Sequence, residues 1–75
     1  MEEYVIIFHS LKQIYNFVHW AEEIPYHMDI SHGSIIVDGK SIQGIMAVGL
    51  EQELHLHVYG QLQNKDKPYI QQFTK

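Results

Sequence analysis

The sequence predicts an α+β domain in the order βαββαβα: a four-stranded antiparallel sheet with its helices packed on one face. Three observations carry this. Apolar and polar residues alternate at Met28–His32 and again across Leu54, Leu56 and Val58, the period of half-buried strands. Leu11, Ile14, Phe17, Val18 and Ala21 fall at the spacing of a buried helical stripe. Serines stand ahead of two apolar runs, at Ser10 and Ser41, where helix N-caps belong.

Each element follows in turn. Tyr4-Val5-Ile6-Ile7-Phe8 is a β-branched and aromatic run of strand length. Ser10 to Gln13 reads as a capping box, S-x-x-Q, opening a helix that ends near Glu22-Glu23, before Pro25. Met28 to His32 forms the second strand, and Gly33-Ser34 a two-residue hairpin turn that begins with glycine. Ser34 to Val37 returns as the third strand. Ser41 then caps a short helix through Ile42, Ile45 and Met46, stopped at Gly49. Leu50 to Tyr59 is the fourth strand, with Glu53, His55, His57 and Tyr59 on the face opposite the leucines. Asp66-Lys67-Pro68 starts a last helix, with Tyr69, Ile70 and Phe73 as its apolar face.

Composition excludes several function classes. At 75 residues the chain forms a single domain, 1–75. It has no cysteine, hence no disulfide framework and no thiolate nucleophile. The net charge is −4, and the five basic residues are all lysine, so electrostatic capture of nucleic acid is not expected. No arginine is present to grip phosphate with two hydrogen bonds. No apolar run reaches the ~20 residues that span a bilayer. The acidic start Met1-Glu2-Glu3 is the reverse of a secretory leader, so a cytoplasmic protein without membrane attachment is expected.

Lys40-Ser41-Ile42-Gln43-Gly44-Ile45-Met46-Ala47-Val48-Gly49 resembles the K-S-I-M-G-[IV]-M-S-L-G signature of HPr. That family is the histidine-containing phosphocarrier of the bacterial sugar phosphotransferase system. Seven of the ten positions match, Gln43, Ala47 and Val48 being the exceptions. The resemblance runs from about Leu11 to Gly60 and implies the HPr-like open-faced β-sandwich. The family's phosphoacceptor motif, G-[IL]-H-A-R-P-A, is missing. In the ungapped register Ser10 takes the histidine position, Leu11 the alanine, Lys12 the arginine and Gln13 the proline.

The resemblance therefore implies a regulatory interaction module that has lost carrier chemistry. It would act through the short-helix face, with Lys40, Ile42, Gln43 and Met46 as partner-binding residues and Ser41 as a site of regulatory phosphorylation. The partners implied are proteins of the phosphotransferase system or a transcriptional regulator. The alternative is a true carrier with His9 as phosphoryl acceptor and Lys12 as its charge partner. A third reading takes His55, His57 and Glu53, side by side on one strand face, as metal ligands, although three ligands in a row seldom close a tetrahedral site. No independent enzyme and no cofactor are expected, because so small a domain has little room for a pocket around a buried titratable pair. A last helix with only eight residues after Lys67 points to a weak homodimer that compensates for lost core contacts.

Overall fold

A computed structural model describes residues 1–75. The elements are β1 (Glu2–Ile6), α1 (Leu11–Ala21), β2 (Met28–His32), β3 (Ile35–Asp38), α2 (Ile42–Val48), β4 (Leu54–Val58) and α3 (Lys67–Gln71). The strands form one antiparallel sheet in the order β1-β4-β2-β3. The expected order βαββαβα and the expected α+β class are both found.

Pleat alternation sorts the strands into two faces. Ile6, Met28, Ile30, Leu54, Leu56 and Val58 point to the core and are fully buried. They meet Ile14, Phe17, Val18 and Ala21 of α1, Ile45 and Val48 of α2, and Ile70 and Phe73 at the C-terminal end. An aromatic cluster sits at the centre: Phe8, Phe17 and Phe73 lie 5.3–5.6 Å apart in edge-to-face arrangements. The opposite face bears Glu3, His57 and Asp29 in one cross-strand row, and Val5, His55 and Ser31 in the next.

The hairpin between β2 and β3 closes as its sequence predicts. Gly33 adopts φ 60°, a left-handed conformation glycine accepts without steric cost, and β3 returns directly from Ser34.

Four sequence expectations shift. Leu11 begins α1 but is 47% exposed, and the helix's buried stripe starts at Ile14. β1 lies two residues earlier than the apolar run: its partner β4 gives out at Leu54, so Phe8 is a core residue beyond the ladder. β4 does not begin at Leu50. Gly49 (φ 107°) and Glu51 (φ 62°) break extension, and pairing starts only at Leu54. β3 runs from Ile35 to Asp38, one residue later than Ser34 to Val37, as an edge strand whose isoleucines are exposed. α3 does start with proline in its first turn. The Asp66 carboxylate makes no capping bond and instead accepts from Trp20 Nε1 at 3.3 Å.

Candidate functional site

Ser10, Lys12 and Gln13, set against the phosphoacceptor motif in the sequence, lie at the start of α1. Ser10 holds the extended backbone of an N-cap, and its Oγ accepts from the Gln13 amide at 3.2 Å. The Gln13 side chain reaches back, Oε1 accepting from the His9 amide at 2.7 Å, one residue beyond the usual return of a capping box. Ser10 O accepts from the Ile14 amide at 3.4 Å. The serine is thus occupied as a structural cap. Ser10→Ala is expected to cost about 1 kcal/mol, a fall of roughly 4–8 °C in Tm for a domain of this size. Thermal melts followed by circular dichroism read this directly.

His9 stands just ahead of the cap. Its Nδ1 lies 2.9 Å from Glu51 Oε1, and both side chains are largely exposed. Glu51 is positioned by its own left-handed backbone and by its amide, which donates to Phe8 O at 2.8 Å. The loop before β4 is thereby clamped to the end of β1. Nothing in the sequence marks Glu51, since 42 residues separate it from His9. Lys12 is exposed on the first turn of α1 and forms no ion pair with the other side chains.

The second candidate region is α2. Ser41 caps it, its Oγ accepting from the Gly44 amide at 3.1 Å. Ile45 and Val48 turn into the core, Ile42 packs against its margin, and Gln43, Met46 and Ala47 face outward. Met46 is 43% exposed, a large apolar side chain on an open helix face. Lys40, expected at the docking surface, also makes two contacts within the chain. Its Nζ donates to Ile24 O at 2.6 Å and its amide to Asp38 Oδ1 at 2.8 Å, so it ties the β3–α2 corner to the segment after α1.

The expected trio on β4 does not converge. His55 and His57 share a face as the alternation requires, but Glu53 is drawn away by Lys75, whose hydrogen bond and charge hold its carboxyl below the usual range. Glu3 of β1 takes the facing place, 3.7 Å from His55 Nδ1 and 3.4 Å from His57 Nε2. No three His, Asp or Glu groups in the molecule are arranged to hold a metal ion. Cross-strand register, not sequence proximity, decides which carboxylate meets the histidines.

A neighbouring network was not legible in the sequence. Asp29 lies 2.7 Å from His27 Nε2 and accepts from the Tyr59 hydroxyl at 2.9 Å. That bond, with lesser contributions from burial and the Asp29 charge, raises the Tyr59 pKa. At the sheet edge, burial and then a hydrogen bond to Glu2 push Tyr4 up to about 12. Since the neutral phenol is favoured in the fold, this contribution to stability is present below pH ~10 and is lost as pH rises toward 12. A spectrophotometric titration, taken as the difference between the chain and Tyr4→Phe, is expected to place phenolate formation at Tyr4 near pH 12.

No protein-family model matches the chain, and no curated protein matches it. Among solved structures it is similar to HPr-C-His from Thermoanaerobacter tengcongensis, with a TM-score of 0.75 at 23% identity. The similarity covers 96% of this chain and 89% of that one. The fold is therefore HPr-like, and the likeness is one of architecture. No helix is long and apolar enough to cross a membrane.

Proposed function

We propose that this chain is a phosphotransferase-system-related interaction module that binds a protein partner through the outward face of α2, rather than a phosphocarrier. One observation carries the reading. Ser10, which takes the carrier histidine's position in the HPr register, is committed through its Oγ to the N-cap of α1, with Gln13 closing the box. The amide of Gln13, which a phosphoryl group at this helix end could otherwise use, is already satisfied internally.

The α2 face supplies the alternative contact. Ile42 and Met46 are apolar at i and i+4, with Gln43 beside them, on a helix anchored from below by Ile45 and Val48. Ser41 at its start is a candidate regulatory position. A phosphate there would meet the helix N-terminus, but it would also displace the Oγ bond to Gly44 and place about two negative charges beside the docking face.

The His9–Glu51 pair supports a second reading, a carrier with a displaced acceptor. A carboxylate on Nδ1 orients the ring and leaves Nε2 to face a donor. Amide chemical-shift mapping separates the two. The chain is titrated with Enzyme I, with an HPr kinase and with a sugar-operon repressor. Perturbations centred on Ile42, Gln43 and Met46 are expected. Perturbations centred on His9, Ser10 and Glu51 and sparing α2 would overturn the interaction reading in favour of the carrier.

A further inference from the structure

The two edges of the sheet are finished differently. The outer edge of β1 is covered at its C-terminal end by the last residues of the chain: the Ile7 amide donates to Phe73 O at 2.9 Å, and the Lys75 amide to Val5 O at 3.0 Å. Ile6 and Thr74 form a bridge between them. β3, at the other end of the order β1-β4-β2-β3, pairs only with β2.

The hydrogen-bonding direction along β3 follows from its two ends. The Gly33-Ser34 loop makes His32 and Ile35 the closing pair of a two-residue hairpin, and the Gly39 amide donates to Met28 O at 2.8 Å at the far end. Alternation along an antiparallel ladder then turns the backbone groups of Ile35 and Val37 toward β2, and those of Ile36 away from the sheet. Ile36 is 67% exposed and Ile35 52% exposed. No lysine or proline protects β3, and its one charge, Asp38, stands at the far end, which leaves Ile35-Ile36-Val37 as an open apolar edge.

We infer that β3 pairs antiparallel with β3 of a second copy of this chain, about a two-fold axis at Ile36. The sequence is self-complementary in that register and not in its neighbour. Ile36 meets its symmetry mate, so its outward N–H donates to the mate's carbonyl and accepts in return. Val37 falls opposite Ile35, Asp38 opposite Ser34, and Gly39 opposite Gly33. Apolar residues meet apolar residues, and the two Asp38 carboxylates lie at opposite ends of the contact. Moving the axis two residues to Asp38 would set those carboxylates face to face, a destabilising like-charge pair. This contact is separate from the C-terminal compensation expected from the sequence, since the C-terminus is occupied in covering the end of β1. An edge of four residues per copy falls well below the ~1,000 Å² of a durable interface, so the dimer is weak and exchanges rapidly.

Sedimentation equilibrium of the full chain, from low micromolar to millimolar concentration, tests the inference. The weight-average mass is expected to rise from 8.8 kDa toward twice that value. Ile36→Lys is expected to stay monomeric across the range, and Met46→Lys to associate as the parent does. Amide exchange on the unsubstituted chain gives an independent reading, with the Ile36 amide slowing as concentration rises. A chain monomeric throughout, association unchanged by Ile36→Lys, or an Ile36 amide indifferent to concentration would each overturn the β3 contact. None of those results bears on the α2 face, which Met46→Lys probes separately.

Discussion

Phe17→Ala is expected to remove about 3–5 kcal/mol of stability, the largest effect of any single truncation proposed for this chain. Phe17 is fully buried, and its ring packs edge-to-face on Phe8 and Phe73 and at a tilt on Trp20. It therefore joins α1 to the end of β1 and to the C-terminal segment at one point. At roughly 0.05–0.15 kcal/mol per residue, a domain of 75 residues has about 4–11 kcal/mol in all, so the loss is about a quarter or more of the total. Tm should fall by at least about 12 °C. Tyr15→Ala, on the exposed side of the same helix, should stay within about 0.5 kcal/mol. Chemical denaturation of the two variants checks this. A Phe17→Ala loss below about 1 kcal/mol would mean that the aromatic cluster does not hold the fold together.

Met46→Lys is the second large effect, and it is an effect on binding. Met46 is an exposed apolar side chain on a helix whose core contacts are made by Ile45 and Val48. Lysine is a good helix former, and a cation near a helix C-terminus is favoured, so the fold should be unchanged within about 0.5 kcal/mol. Binding is another matter. Placing an ammonium at the centre of an apolar contact is expected to cost about 2 kcal/mol or more, roughly a 30-fold weaker Kd. Titration calorimetry with the partner identified by shift mapping measures this. Unchanged affinity would move the docking surface away from α2.

Much of the fold was legible because local and tertiary signals agree. The Ser10 box, the α1 stripe, the Gly33 turn and the Ser41 cap each describe a segment whose structure is fixed by its own neighbours in sequence. Errors fall where distant chain decides. β4 begins at Leu54 because Glu51 is drawn to Phe8 O in a left-handed turn, and β1 ends where β4 stops offering partners. The same division holds at the sites. Ser10 could be read as a cap from four residues, and His55 and His57 as sharing a face from their spacing. The carboxylates that meet the histidines, Glu51 at His9 and Glu3 at His55 and His57, come from other strands and loops, where no periodicity reports them. Lys40 is a further case. Its place in the ten-residue block says nothing of the bond its ammonium makes to Ile24 O, 16 residues away.

The absence of arginine gains meaning on this frame. In the register read from the sequence, Ser10 stands at the family's histidine position and Lys12 at its arginine position, and no arginine anywhere in the chain offers a phosphoryl group a bidentate grip. The carrier reading rests on His9 with Glu51. One measurement decides between binding module and carrier: incubation with phosphoenolpyruvate and Enzyme I, followed by intact-mass analysis under conditions that preserve acid-labile phosphohistidine. The expected result is an unmodified mass. A stoichiometric gain of about 80 Da that disappears in His9→Ala would contradict the account and make this chain a carrier.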